Sequence, residues 1–285
     1  MNSKPLVSIL MTSFNREKYI GEAIESVLST TYENFEFIIV DDCSTDRTVE
    51  IIKSYQQSNP VIQLYINEVN LGDYPNRNRA ASYAKGKYLK YVDSDDMIFP
   101  YCIEAMVYFM EQCPTAAVGL MGVRLKSEGT RKFPIVLNSD EAFERHYFKS
   151  GIFNRAPLSS IIRKEAMEAI GGFTEERVIS DFITWHKFAN SFPIAIIPFG
   201  LVWYRSHGDQ EMTQSEIDVS VHYKYLLYSY KFIHSSECKI NEGLKRAILE
   251  SVRKKMNRYL MRVYLKNSIK KGNELRKLKE AVLKS

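Results

Sequence analysis

The sequence predicts an α/β fold with a mostly parallel central sheet flanked by helices, and two observations support this. Short apolar runs alternate with segments of helical spacing through the first 123 residues, and the runs are rich in β-branched and aromatic residues, as in FEFIIVDD. Strands joined by helices favour parallel pairing with helices on both faces of the sheet. The composition, 45% hydrophobic and 26% charged over 285 residues, is that of a globular chain with a substantial core.

The predicted elements of this first part alternate regularly. Strands are expected at 5–12, 35–42, 62–66, 87–92 and 116–123. Helices are expected at 20–28, from Ser44 or Thr45 as the N-cap to about 55, at 75–84 and at 101–112.

The pattern is weaker after residue 123. A loop containing Gly129 precedes a helix near 139–148, a strand at 159–163, a short helix at 164–170 and a Gly171-Gly172 turn. A helix with Ser180 as N-cap covers 180–189, and one or two strands lie within 194–204. From there the chain is helical to its end. We therefore expect a catalytic domain at 1–213, divided at 123/124 into a nucleotide-binding and an acceptor-side half, and a helical, basic C-terminal extension at 214–285.

Acidic residues follow two of the predicted strands. Asp41-Asp42 ends the second, and Asp93-Ser94-Asp95-Asp96 ends the fourth, while the first ends in Thr12-Ser13-Phe14-Asn15. In open parallel sheets, ligands bind beyond the carboxyl ends of the strands, so these groups should meet at one rim. Such a run of acids could simply form a polar turn. However, close carboxylates raise one another's pKa unless a cation neutralises them, and Mg²⁺ or Mn²⁺ commonly joins carboxylates to substrate phosphates. The rim therefore predicts a metal–diphosphate site.

Three blocks, VSILMTSFN, FEFIIVDDCSTDRT and NLGDYPNRNRAASYAKGKYLKYVDSDD, together resemble the inverting nucleotide-sugar glycosyltransferases of family 2. The resemblance covers residues 5–125 strongly and 155–208 loosely. It implies an A-type glycosyltransferase fold, which is Rossmann-like, and a bound nucleotide diphosphate sugar, with UDP favoured by family habit. By position, it implies nucleotide contacts from Thr12, Asp42, Arg77 and Asp93, and a metal ligand in Asp95.

The resemblance also implies a catalytic base and a second metal ligand. The family places its base some ten residues after a Gly-Gly-Phe turn, commonly in a Glu-Asp pair. Here Gly171-Gly172-Phe173 is followed by Ser180-Asp181, so Asp181 is the expected base, with Ser180 in place of the first acid. Its alternative role is that of an acid in the first turn of a helix. His207, after Tyr-Arg, corresponds to a histidine that ligates the metal or touches the diphosphate, although a lone histidine is often structural.

The implied function is the metal-assisted, inverting transfer of a single sugar to a hydroxyl of a glycan or lipid-linked acceptor, in cell-surface polysaccharide or oligosaccharide biosynthesis. The Gln-x-x-Arg-Trp block of processive synthases does not occur in the chain. Two alternatives remain. A sugar-phosphate nucleotidyltransferase would usually open with a Gly-rich loop, whereas this chain has no glycine before Gly21. A non-catalytic nucleotide-sugar-binding protein would bind the donor without transferring it.

The C-terminal 47 residues carry 15 Lys and Arg against four Glu, a net +11, which leaves −6 for residues 1–238 because the whole chain is +5. An apolar stripe recurs there at helical spacing: Leu244, Ile248, Val252, Met256, Tyr259 or Leu260, and Val263. The stripe either packs on the catalytic body or lies on an anionic membrane surface. A nucleic-acid role is not expected, because no recognition motif accompanies the basic residues.

Four widely spaced cysteines without a C-x-x-C pair are expected to be reduced thiols. No signal peptide or bilayer-spanning stretch is evident. We therefore expect a cytoplasmic protein, with attachment to the inner face of the plasma membrane if the basic helices bind lipid.

Overall fold

The structure, a computed structural model, describes residues 4–122, 132–207, 219–266 and 269–284. Its strands are β1 Val7–Ser13, β2 Phe35–Asp41, β3 Ile62–Ile66, β4 Tyr88–Asp93, β5 Met97–Ile98, β6 Val118–Met121, β7 Ile135–Leu137, β8 Ser160–Arg163, β9 Ile194–Ile197 and β10 Val202–Trp203. Its helices are α1 Ile20–Leu28, α2 Thr48–Ser58, α3 Asp73–Tyr83, α4 Cys102–Glu111, α5 Ser139–Arg145, α6 Lys164–Ala169, α7 Ser180–Ser191, α8 Val219–His234, α9 Glu242–Lys266 and α10 Ile269–Lys284. A π-helical turn, His146–Ser150, and a 3₁₀ turn, Pro157–Ser159, complete the helical elements described.

Eight strands form one sheet in the order β3-β2-β1-β4-β8-β6-β9-β7, and β5 and β10 form a separate antiparallel pair. The pairs β1/β2, β2/β3, β1/β4 and β6/β9 are parallel. β8 lies antiparallel between β4 and β6, and β7 is antiparallel to β9. The prediction of a mostly parallel sheet with flanking helices is confirmed.

The two faces of the sheet build separate cores. Alternate residues of β1 point to opposite sides, so that Ile9 and Met11 join the side chains of α1, α2 and α4, whereas Leu10 joins those of α3 and of α5 to α9. Both sets are fully buried, which is the reason that β1 reads as a continuous apolar run.

The N-caps predicted for α2 and α7 do not cap these helices. Neither Ser44 nor Thr45 caps α2: the Ser44 hydroxyl donates to Asp41 Oδ2 (2.6 Å) and that of Thr45 to Asn15 Oδ1 (3.4 Å). The helix begins only at Thr48, whose N–H donates to Asp46 Oδ1 (3.0 Å). Ser180 is the first residue of α7 rather than its N-cap, and its hydroxyl donates to the Thr174 carbonyl (2.7 Å). In both cases the hydroxyl of the predicted cap bonds to a residue that precedes the helix.

The C-terminal helices continue the core on the α3 side of the sheet. In α8, Tyr225 packs edge-on against Phe182 of α7 (4.9 Å between ring centroids), and Phe232 packs against His186 (5.5 Å). The stripe on α9 is buried in the same cluster, which matches the packing alternative for it. The expected boundaries at 123/124 and 213/214, and the loop with Gly129, lie outside the described residues.

All four cysteines are free thiols, as expected. Within the described ranges, no helix combines the length and the apolar character needed to cross a bilayer.

Candidate active site

The site forms where the carboxyl ends of β1, β2 and β4 meet. The register pairs Thr12 with Asp93 across β1 and β4, and Ser13 with Asp41 across β1 and β2. The rim that the sequence predicted therefore exists, and β4 delivers the Asp93–Asp96 turn directly beside the end of β1.

The two adjacent acids after β2 bond to different parts of the structure. Asp41 is fully buried and accepts hydrogen bonds from the hydroxyls of Ser13 (2.9 Å) and Ser44 (2.6 Å). Asp42 is also buried, and its carboxylate accepts the backbone N–H groups of Leu71 and Gly72, both at 2.8 Å. Asp41 thus holds the loop after β2, and Asp42 holds the loop that leads into α3. The predicted contact of Asp42 with a nucleoside stays a prediction.

Arg77, on α3, joins this loop to the end of β4. Its Nε donates to Asp73 Oδ1 (2.8 Å) and its Nη2 to Asp93 Oδ1 (2.5 Å), with only 9% of the side chain exposed. Burial opposes its charge, but the two carboxylates raise the pKa of Arg77 above its ordinary value. Nη1 is buried with no hydrogen-bond partner among the described residues. A buried, unpaired guanidinium N–H is costly, so this atom suits an anionic or carbonyl oxygen of a ligand.

Asp95 and His207 come together although 112 residues separate them. His207 Nε2 lies 3.0 Å from Asp95 Oδ2, and its ring stacks on Tyr19 with 4.5 Å between centroids. Arg16 Nε lies 3.2 Å from the same Asp95 oxygen. The sequence predicted this pair but not Arg16, which follows the end of β1 by three residues and carries no local signal of its role.

These two predicted ligands fit a hexacoordinate divalent ion. Neighbouring ligands of an octahedral ion at 2.0–2.1 Å are about 3 Å apart, the separation of Asp95 Oδ2 and His207 Nε2. The described residues contain no group of three or more His, Cys, Asp or Glu side chains arranged to hold an ion. Mg²⁺ and Mn²⁺ characteristically take their other ligands from water and substrate phosphates, which such a two-residue site leaves room for.

Asp96 serves a different purpose from its neighbours. It is buried, and its Oδ1 accepts the backbone N–H of Arg205 (2.8 Å), whose Nε donates to the Asp95 carbonyl (2.9 Å). Burial, followed by repulsion from Asp93, raises the pKa of Asp96 to about 7. Asp96 and Arg205 thus fasten the segment after β10 to the acidic turn, which carries His207 to Asp95.

Asp181 lies at the start of α7, on the α3 side of the rim. Burial raises the pKa of its carboxyl to about 7, while a hydrogen bond from the backbone N–H of Phe182 (2.6 Å), the charge of Arg77 and a hydrogen bond with Tyr74 act in the opposite direction. Tyr74 is itself buried in the first turn of α3, next to Asp73. The predicted base is therefore coupled to the arginine that binds Asp93.

Asn78 attaches the loop before α7 to α3. Its Nδ2 donates to the Phe173 carbonyl (2.8 Å), and its Oδ1 accepts the Phe173 N–H (2.9 Å). Gly172 has a φ of +74°, and an added Cβ there would lie 2.7 Å from Asn78 Oδ1, so this turn requires glycine. Sequence reasoning assigned no role to Asn78, Asp73 or Tyr74. The i, i+4 spacing of Asp73 and Arg77 was the one local signal available.

Comparison with known proteins decides the family. A model described as "Glycosyl transferase family 2" matches residues 8–171. The chain belongs to glycosyl transferase family 2. An uncharacterized glycosyltransferase of Haemophilus influenzae is 28% identical over 226 residues, 74% of this chain and 68% of that protein. Four further curated relatives, 37–44% identical, are each matched over only 38–43% of their own length.

Solved structures of two other proteins share the fold. TarS 1–349 of Staphylococcus aureus in complex with UDP-GlcNAc gives a TM-score of 0.72 at 21% identity, over 93% of this chain and 76% of that one. The mannosyltransferase PcManGT of Pyrobaculum calidifontis in complex with GDP-Man and Mn²⁺ gives a TM-score of 0.66 at 14% identity. The match covers 100% of this chain and 82% of that one. The chain is thus a glycosyltransferase with the A-type fold expected from its sequence.

Proposed function

We propose that this family 2 glycosyltransferase moves one sugar from a nucleotide diphosphate sugar to a hydroxyl group, with inversion at the anomeric carbon. The acceptor hydroxyl attacks C1 of the donor as Asp181 takes its proton. The C1–O bond to the diphosphate breaks, and its electron pair leaves with the phosphate. One displacement inverts the configuration once.

The observation that carries this proposal is the position and acidity of Asp181. A general base works best when its pKa lies near the operating pH, and burial raises the pKa of Asp181 to about 7. Its partner Tyr74 is adjacent to Asp73 in the chain. Asp73 accepts a hydrogen bond from Arg77, and Arg77 also donates to Asp93. The proposed base thus belongs to the same network as the proposed nucleotide contacts.

Donor binding is assigned to the rim. Thr12 and Asp42 are proposed to contact the nucleoside, and Asp93 and Arg77 its ribose and phosphates. Asp95 and His207 would hold Mn²⁺ or Mg²⁺, which when bound neutralises charge on the departing diphosphate. UDP is the proposed nucleotide, supported by the fold shared with TarS, solved with UDP-GlcNAc; PcManGT, solved with GDP-Man and Mn²⁺, supports the metal.

The proposed acceptor is a glycan or a lipid-linked oligosaccharide of cell-surface polysaccharide synthesis, and the sugar is a hexose or an N-acetylhexosamine. Four free cysteines support a cytoplasmic location.

The decisive experiment compares Asp181→Asn with the wild type, using Glu176→Gln, an exposed acid in the preceding loop, as the matched control. Thermal shifts with a panel of UDP-, GDP- and dTDP-sugars, with and without Mn²⁺, identify the donor, because a ligand that binds only the native state raises the melting temperature. Asp181→Asn should keep the shift and lose about 10²–10⁴-fold in turnover, the usual contribution of a general base. Undiminished turnover would remove Asp181 from this role.

The same panel separates the alternatives. A non-catalytic binding protein would show the thermal shift without turnover in the wild type. A nucleotidyltransferase would release pyrophosphate from a nucleoside triphosphate and a sugar phosphate. In the proposed enzyme, Asp95→Asn should abolish the Mn²⁺-dependent part of the shift.

A further inference from the structure

The last two helices form a hairpin whose tip is apolar and exposed. Tyr264 OH, near the end of α9, donates to Asn273 Oδ1 (3.0 Å) on α10, and Lys279 Nζ donates to Asn257 Oδ1 (2.6 Å). Because later residues of α10 meet earlier residues of α9, the two helices run antiparallel. A Cβ on Gly272 would lie 2.4 Å from the Tyr264 ring, so glycine allows this close approach. The free end of the hairpin is therefore the region around Leu265 and Ile269.

Three aliphatic side chains at this end face solvent. The exposed fractions are 66% for Met261, 80% for Leu265 and 72% for Ile269. The stripe on α9 is by contrast buried, with Met256 and Val263 at 0% and 2% exposed. These are two distinct apolar faces, and the exposed one lies outside the cores that the described residues form. We call Met261, Leu265 and Ile269 the hairpin tip.

The charge around the hairpin tip has one sign. Residues 251–273 contain eight Lys and Arg and no Asp or Glu. Arg258, Arg262 and Lys270 are exposed beside the tip. Exposed aliphatic residues ringed by cations are the pattern of segments that lie in the headgroup region of an anionic bilayer.

We propose that the hairpin tip docks the enzyme on an anionic lipid surface, with the three aliphatic side chains entering the headgroup boundary and the surrounding cations binding lipid phosphates. Charge complementarity favours lipid over a second copy of the chain, because two such tips would repel. The aliphatic side chains favour lipid over nucleic acid, because a phosphate backbone has no apolar surface against which they could pack. This docking is independent of the proposed reaction and uses no residue of the rim.

The test is co-sedimentation of the full-length protein with vesicles of phosphatidylcholine alone or mixed with phosphatidylglycerol. The wild type should bind the mixed vesicles and not the neutral ones, and should be released by salt. Replacing Met261, Leu265 and Ile269 by Ser should weaken binding at least tenfold, as should Arg258→Glu, Arg262→Glu and Lys270→Glu together. The matched control replaces exposed apolar residues elsewhere, Val136, Tyr108 and Phe148, by Ser, and should bind like the wild type.

Circular dichroism and donor turnover with a water-soluble acceptor should be unchanged in the tip variant, which separates loss of docking from loss of folding or of the proposed activity. The proposal would be overturned if the tip variant bound mixed vesicles as tightly as the wild type does. So would a wild-type dimer in light scattering that the tip variant converts to a monomer, or RNA binding by the wild type without any vesicle binding.

Discussion

The carboxyl of Asp181 is buried, unlike that of a surface aspartate, so the proposed reaction should depend on pH near neutrality. Only the ionised form can accept the acceptor proton, and the pKa is about 7. We therefore expect kcat/KM, which reports ionisation of the free enzyme, to fall about tenfold per pH unit below that value and to level off above it. Tyr74→Phe removes a hydrogen bond that lowers the pKa of Asp181, so it should move the acidic limb of the profile to higher pH. If the acidic limb of the Tyr74→Phe profile lies at the same pH as that of the wild type, Asp181 is not the group that titrates.

Asp96 should make stability depend on pH. Its pKa is about 7 in the folded state against 3.8 ordinarily, so between these values the native state holds a proton that the unfolded chain has lost. Stability therefore falls as pH rises from about 4 to about 7, by at most about 4 kcal/mol.

The test for this residue is Asp96→Asn, which keeps an acceptor for the Arg205 N–H and cannot ionise. Urea unfolding should show the variant more stable than the wild type at about pH 8, with a difference that shrinks steadily toward about pH 4. Glu33→Gln, at an exposed acid, should follow the wild type at both pH values. A constant difference between Asp96→Asn and wild type across the range would refute the titration.

At the residue scale, the sequence predicted the acids of the rim and missed most of their partners. Asp93 and Asp95 stand out because they end an apolar run. Arg16 and Arg205 do not, because their roles depend on contacts with Asp95 and Asp96 across 79 and 109 positions of the chain.

At the element scale, α3 connects the two halves of the proposed site. Arg77 binds Asp93 on the donor side, and Asn78 holds the backbone of Phe173 in the loop that leads to Asp181. A single helix therefore fixes the base relative to the rim.

Asn78→Ala should reduce kcat by about 10–10²-fold while leaving the donor-induced thermal shift unchanged, because a small displacement of a catalytic group costs rate without costing ground-state binding. Asn190→Ala is the matched control. Asn190 makes the same two-point contact with backbone groups, to Glu237 O and Lys239 N, away from the rim. Both variants should lose similar stability, about 1–2 kcal/mol, and only Asn78→Ala should lose turnover. Equal losses of kcat in the two would reduce Asn78 to a structural role.

At the scale of the whole molecule, the C-terminal helices share a core with the catalytic body. Phe232 of α8 stacks on Phe143 of α5 with 6.0 Å between ring centroids, and His186 of α7 lies against the same side chain. The division predicted at residue 213 therefore separates parts that are packed together.

Phe232→Ala should consequently lower the stability of the entire protein, by about 3–5 kcal/mol, in a single unfolding transition. Calorimetry measures this directly, with Phe148→Ala, at a half-exposed aromatic position, as the control that changes little. If Phe232→Ala instead showed two unfolding transitions and only one had a lowered midpoint, the C-terminal helices would unfold independently of the catalytic body.

The sequence by itself determined the elements and the rim. Apolar periodicity is a local property of the chain, and it located the strands of the first half, most helices and the acids at the strand ends. Motif spacing gave the family, which rests on local blocks of residues 5–125. Tertiary structure alone decided the antiparallel insertion of β8 and the partners of the acids. It also decided which apolar face of α9 is buried and which is left at the hairpin tip. These features depend on contacts between residues that are far apart in the chain. Such contacts produce no periodic pattern in the sequence of either segment, so the sequence alone does not reveal them.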